Sequence, residues 1–255
     1  AKKAKFFDAL DTLDGLLAAS PSGFMSCEES VGLADCVYVP FLERYGYQLP
    51  LMASISVRGG PLHARWPNID RWYAAMEKEP AYANRVAGDE YSWVAVTSTF
   101  MRMFNSNGTE LNPARARAAA NADGKANGLI EQVKQDAPRI LADTTPAAKS
   151  ARLAAAAKIL SNHAAIVADA TRAEPKSQVE IERAGGAEEV DALLQETVAR
   201  LLGTEPGGAP GGSSATKSKA AGVIARRLCV PRDMGAAAAM QLRAQLLELE
   251  GAYAP

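Results

Sequence analysis

Cysteine is scarce in this sequence. Cys27, Cys36 and Cys229 are an odd set without a CxxC pair, so neither a disulfide framework nor a zinc knuckle is indicated. Such sparse thiols suit an intracellular, reducing compartment. Histidine is scarcer still. His63 and His163 have no HxxH or HxxxH spacing, and no GxSxG elbow accompanies them, which removes the usual bases of a metal site or a hydrolytic triad. A basic surplus is also missing: 28 Lys and Arg stand against 29 Asp and Glu, for a net charge of -1. Binding nucleic acid by bulk electrostatics requires that surplus, so no nucleic-acid partner is expected. No apolar run reaches the roughly 18 residues of a membrane span. The sequence starts at Ala1 without Met or an apolar signal core, and a mature or trimmed protein is expected.

What is present is unevenly spread along 255 residues, enough for one or two domains. All six Phe, all three Trp and six of the seven Tyr precede residue 105, with Tyr253 alone beyond it. Alanine follows the opposite trend. Aromatic side chains bury far more area than alanine, so the front carries the means for a packed core. The rear, with thin apolar stripes, is expected to lean on an external surface for stability.

Periodicity predicts helices almost throughout. Phe6, Phe7, Leu10, Leu13, Leu16 and Leu17 recur at helical spacing. A second helix is expected from Leu33 to about Tyr45, bent at Pro40, followed by a loop over Gly46–Pro67. Two more carry Ile69, Trp72, Tyr73 and Met76, then Val94, Thr97, Phe100, Met101 and Phe104 on their inner faces. In the rear, Asn112-Pro113 and Thr145-Pro146 read as caps followed by proline at the first helical position. Gly124 and Gly128 are expected to interrupt the first of these helices. The second opens a long helix through Leu153, Leu160, Ile166 and Val167. Gln178–Glu182 alternates weakly like a short strand, Val190 to Leu202 forms another apolar stripe, and Gly203–Ser214 reads as a flexible linker. Short helices then run from about Val223 to Leu228 and from Met234 to Glu250. The fold class is all-α, divided as 1–104, an Ala-rich extension 105–202, a linker 203–216 and C-terminal helices 217–255.

The segment DTLDGLLAASPSGFMSCEESVGLADCVYVPFLERY, followed by WPNIDRWYAAMEKEPAY, resembles the C-terminal helical domain of the glutathione S-transferase superfamily over about residues 6–91. The features that carry the resemblance are Leu33-Ala34-Asp35 opening a central helix, then Pro40, Arg44, and Pro67 to Trp72. The resemblance implies a bundle that normally sits behind a thioredoxin-like half holding glutathione and the catalytic Tyr, Ser or Cys. No residues of this chain read as that half, so glutathione is expected as a cofactor only if a thioredoxin-like domain lies upstream. Separately, the spacing reads as a one-sided N-cap box: Asp35 reaching back to the backbone of Gly32, with Val31 stapled against Cys36. The family's usual Ser or Thr is replaced here by Gly32. The block Pro231-Arg232-Asp233-Met234-Gly235 is similar to the ends of plastid transferase-like proteins, which implies a chloroplast location.

Candidate chemical groups are few. Cys27 stands beside Glu28 and Glu29, a setting that opposes a thiolate; Cys36 reads as core. Cys229, after Arg226 and Arg227, has the most electropositive surroundings and is the cysteine to test for reactivity. GGAPGGSSATK lacks the GK[ST] ending of a phosphate loop. Arg115 with Arg117, or Lys217, Lys219, Arg226 and Arg227, could meet an acidic partner or a membrane surface, although such clusters are usually a solvated face. Trp66, Trp72 and Tyr73 read as core. Tyr38 and Tyr45 are candidates for the wall of a hydrophobic cleft. No catalytic, cofactor or metal residues are assigned. The expectation is a non-catalytic interaction or assembly protein, a peripheral subunit bound to other protein subunits. The alternative is a glutathione-dependent transferase or reductase whose thioredoxin-like half lies elsewhere, and a third reading is a carrier with an aromatic pocket.

Overall fold

The computed structural model describes residues 2–25, 29–59, 65–103, 111–171, 186–204 and 214–254. Five helices occupy the front: α1 (Lys2–Ala18), α2 (Leu33–Ala53), α3 (Pro67–Met76), α4 (Pro80–Arg85) and α5 (Glu90–Met103). The rear follows with α6 (Pro113–Ala142), α7 (Pro146–Ala170), α8 (Ala187–Leu202), α9 (Ser214–Arg227) and α10 (Ala236–Ala252). Among the described residues there is no strand, so the chain is all-α. The strand expected at Gln178–Glu182 and most of the linker lie outside the described residues, as do Cys27, His63 and Phe104.

The front is organised by mutual capping of α1 and α3. Asp14 on α1 accepts from the backbone nitrogens of Asn68 (2.8 Å) and Ile69 (3.0 Å). It thereby supplies the acceptor that the N-cap residue of α3, Trp66, does not provide. In return, Arg71 of α3 donates to the carbonyls of Leu17 (2.6 Å) and Ser20 (2.8 Å) at the end of α1. Asp11 adds a bidentate pair with Arg65 and accepts from the Trp66 indole at 2.8 Å. Beneath these contacts lies the aromatic core, with Leu10, Leu17, Phe24, Val39, Leu42, Trp66, Ile69, Trp72 and Tyr73 buried together.

α2 departs from the expectation. It does not stop near Tyr45 but runs on to Ala53, through both Pro40 and Pro50, and ends where Ser54 adopts the left-handed conformation. Burial of Val39 and Leu42 and the hydrogen bonds of buried Asp35 and Glu43 to other elements hold the helix together despite two missing backbone donors. Likewise, Gly124 and Gly128 do not interrupt α6, which is continuous over 30 residues. Nothing approaches either position within 4 Å, so each glycine costs only its propensity.

The rear has its own core, and the largest correction lies there. α10 is the centre of that region, contacting α6, α7, α8 and α9. It buries residues on every side, including Ala238, Ala239, Leu242, Ala244, Leu246 and Leu247. α7 presents Ala148, Ala151, Ala155, Ala156 and Ile159 inward, whereas Leu153 and Leu160 are 61% and 63% exposed. Leu153 and Leu160 therefore face outward, while Ile166 and Val167 further along the helix pack against the rear core. Alanine shares this core with larger side chains: Ala155, Ala156, Ala238 and Ala239 are buried together with Ile130, Leu193, Leu194, Leu242 and Leu246. The rear thus packs on itself rather than depending on an external surface.

α5 joins the two cores. Tyr91 belongs to the rear cluster, while α5 also packs against α2 and α6. On the front side, buried Glu43 accepts from Gly88 N (2.8 Å), from the Trp93 indole (3.3 Å) and from the Tyr82 hydroxyl. On the rear side, Arg243, 1% exposed, donates to Asp89 (2.6 Å) and to the Leu228 carbonyl (3.0 Å), and lies 4.5 Å above the Tyr91 ring. Gly88 is required at this seam, since a β-carbon would strike the Trp93 indole.

Candidate functional site

Asp35 is the best-defined polar centre of the front. Its carboxylate is fully buried and accepts three hydrogen bonds: from Gly32 N at 2.9 Å, from Met25 N at 2.8 Å and from the Trp72 indole at 2.8 Å. The first bond closes the helix start from inside, because Gly32 has no side chain to do so. The second ties down the turn before the helix, and the third locks α2 to α3. All three of its hydrogen bonds tie parts of the fold together, and this buried carboxylate serves structure rather than a substrate. Val31 is half-buried against the aromatic core, but Cys36 is exposed. The expected core position of Cys36 is corrected for a geometric reason. Asp35, Val39 and Leu42 set the inward face of α2, and the residue after Asp35 turns about 100° away from it.

That same geometry exposes an apolar strip. Leu33, Val37 and Phe41, spaced four apart, are 82%, 54% and 54% exposed, and Tyr38 beside them is 47% exposed. Arg44 continues the strip one turn on, with its guanidinium over the rings of Phe100 (5.5 Å) and Trp93 (6.0 Å). Tyr38 therefore faces outward. Tyr45 is half-buried and meets Phe6 edge-on at 5.5 Å, so the two tyrosines nominated for a cleft wall do not share one. Periodicity marks α2 as amphipathic but does not show which apolar residues are surplus to its core face.

The short helices, the Asp35 box and the Pro67 to Trp72 segment agree with one finding from sequence comparison. The family model "Glutathione S-transferase, C-terminal domain" matches residues 1–75. Residues 1–75 are a glutathione S-transferase C-terminal-like domain. Comparison with curated proteins returns no match, and comparison with solved structures returns none. The exposed strip of α2 and Glu43 of the seam lie inside this transferase-like domain, and Arg243 and the rear core lie beyond the matched residues.

Side chains that would supply chemistry are turned toward structure. Tyr73 and Tyr82 are held well above the ordinary phenol range by burial, with Glu43 adding to it. Burial pushes Tyr91 up to about 12 despite nearby Arg243 and Arg226. None of these hydroxyls is poised to ionise. The Cys229 thiol is also pushed up, by burial first, against the opposing charge of Arg232, with Asp233 and Asp89 adding to the rise. The two arginines that made Cys229 the cysteine to test are engaged elsewhere, Arg226 with Glu250 at 2.8 Å and Arg227 with Asp169 at 2.8 Å. Lys217 of the same cluster is buried, its ammonium 5.3 Å from the Tyr253 ring, so this cluster is not an open basic face. His163 pairs with Asp191 at 2.6 Å across α7 and α8. Among the described residues no group of three metal-ligating side chains converges, and no helix is long and apolar enough to cross a membrane.

Two open grooves exist in the rear. One of about 630 Å³ lies between α6 and α10, floored by Leu129, Val133 and Ile140. Its carboxylates are engaged within the chain: Asp89 with Arg243, Glu90 with Lys125, Asp136 with Arg139. Asp143 accepts from Thr145 N. The other, about 470 Å³, lies between α7 and the start of α10, where Arg232 is paired with Asp233. Neither groove gathers unpaired polar groups toward a common point.

Proposed function

We propose that this chain is a helical interaction protein in which the transferase-like domain serves contact rather than catalysis, as a peripheral subunit of a protein assembly. The observation that carries the reading is the outward face of α2: three large apolar residues in helical register, plus Tyr38, exposed on the one domain whose kinship is known. An exposed patch of several hundred Å² costs solubility and marks a surface meant to be covered. The upward-shifted phenols and the upward-shifted Cys229 thiol support the same reading, since a nucleophile requires the opposite shift. A second exposed pair, Leu153 and Leu160 on α7, offers a further place for contact.

The competing reading is a glutathione-dependent transferase or reductase in which a thioredoxin-like domain supplies the chemistry. The location of the strip on the transferase-like domain favours it, because such a domain would also need an apolar face to rest on. One experiment separates the two. The tagged full chain and its Phe41→Lys variant are passed through extract of the source organism and over immobilised glutathione. Under the assembly reading, a defined partner is recovered by the wild type, is lost with Phe41→Lys, and shows no retention on glutathione. Equal recovery by both chains would refute it, and retention of the wild-type complex on glutathione would favour the transferase.

A further inference from the structure

Resting on the reading of α2 as a docking face, we infer that its occupant is an acidic amphipathic helix of another protein, selected by Arg44. From Leu33 to Arg44 the chain has three charged residues. Two of them face the fold. Asp35 accepts from Met25 N, Gly32 N and the Trp72 indole. Glu43 accepts from Gly88 N, the Trp93 indole and the Tyr82 hydroxyl. The third, Arg44, is exposed and ends the apolar strip. Its guanidinium lies over the rings of Phe100 at 5.5 Å and Trp93 at 6.0 Å. Among the described residues none of its N–H groups reaches a carboxylate or a carbonyl. Carboxylates on the neighbouring helices are committed elsewhere, Glu90 of α5 to Lys125 and Asp123 of α6 to Arg102. A guanidinium steadied by two rings and lacking an internal acceptor is a pre-organised fork for a carboxylate. Leu33, Val37 and Phe41 come at four-residue steps and Arg44 three further on. The strip therefore runs for roughly 16 Å, about three helical turns. A partner helix of that length lays apolar side chains on the strip and places one Asp or Glu a turn beyond them. Lipid headgroups and nucleic acid fit less well, because either calls for several cations and this face has one.

The experiment is selection from a displayed library of helical peptides, randomised on one face, against the immobilised full chain. Each peptide has about 20 residues, so that its helix is stable alone. Peptides recovered by the wild type should carry apolar residues at steps of three and four, with Asp or Glu one turn beyond. Arg44→Gln should weaken a recovered peptide by about tenfold and remove the salt dependence of its binding. Arg44→Glu should reverse the selection, so that Lys or Arg takes the place of the acidic residue. Both variants change an exposed side chain, and their thermal unfolding should match the wild type. No enrichment against the wild type overturns the proposal. So do recovered peptides without an acidic residue, and an acidic preference that survives both Arg44 variants. Two other occupants are read directly: a chain mass that doubles in the wild type but not in Phe41→Lys, or retention on phosphatidylserine vesicles that is lost with Arg44→Gln. Either result overturns the acidic helix as occupant. Phe41→Lys separates this proposal from the reading beneath it. Apolar peptides that lack the acidic residue but are lost with Phe41→Lys leave the docking face standing and remove the role of Arg44. Peptides that bind Phe41→Lys as well as the wild type count against the docking face itself.

Discussion

The front and the rear solve the same problem with opposite materials. The front buries a few large aromatic residues and pins its helices with buried carboxylates, Asp35 beneath α2 and Asp14 at the start of α3. The rear buries alanines around α10 together with aliphatic side chains such as Leu193, Leu194, Leu242 and Leu246, with few aromatic residues. In the front a single polar atom has several dependants, so loss is concentrated. In the rear each contact is small and replaceable, so crowding does more harm than deletion. Between them, Glu43 and Arg243 hold the two ends of the Gly88-Asp89 junction.

The sharpest way to break this comparison is at the seam. Arg243→Met keeps the bulk but leaves Asp89 and two carbonyls without their donor, and should cost about 3–5 kcal/mol. Scanning calorimetry should then resolve two transitions in place of one. Next, Asp35→Ala leaves the Trp72 indole and two backbone donors unsatisfied and should cost about 3 kcal/mol. Denaturant unfolding followed by Trp fluorescence should show the front melting first, and an unchanged midpoint would contradict the role given to Asp35. Ala239→Leu inserts three heavy atoms where α10 is fully buried and should cost about 1–3 kcal/mol. Hydrogen exchange should locate that loss in α7 to α10. The smallest effect is electrostatic. Burial alone would raise the Asp123 carboxyl, but hydrogen bonds from Arg102 and Ser98 and the Arg102 charge hold it below the usual range. A depressed folded-state value stabilises above the unfolded value and loses that contribution as pH falls through both. Asp123→Asn should therefore lower the melting temperature near neutral pH by less than about 1 kcal/mol equivalent, because the pair is partly exposed, and the gap should close toward pH 3.

Much of this architecture was legible in the sequence, because helical spacing survives whatever packs against it. The caps at Asn112 and Thr145 were readable, since side-chain capping depends on a few adjacent residues. The inward face of α7 was not. Leu153 and Leu160 outrank alanine on any transfer scale, yet the buried face of this helix is formed by Ala151, Ala155, Ala156 and Ile159. The seam was equally hidden, because Glu43 and Arg243 are single charges within helices and each finds its partner across more than forty residues of chain. At α2, the spacing of Asp35 from Gly32 was visible, whereas the indole of Trp72 as its third donor, and the surplus of Leu33, Val37 and Phe41, required the folded arrangement.

The central claim is that the working surface of this protein is the first half of α2. A photo-crosslinking residue placed at position 41, and separately at position 153, in the full chain tests it most directly. Irradiation under native conditions should give a discrete adduct from position 41 and little from position 153. Adducts from position 153 alone, or from neither, would contradict the account.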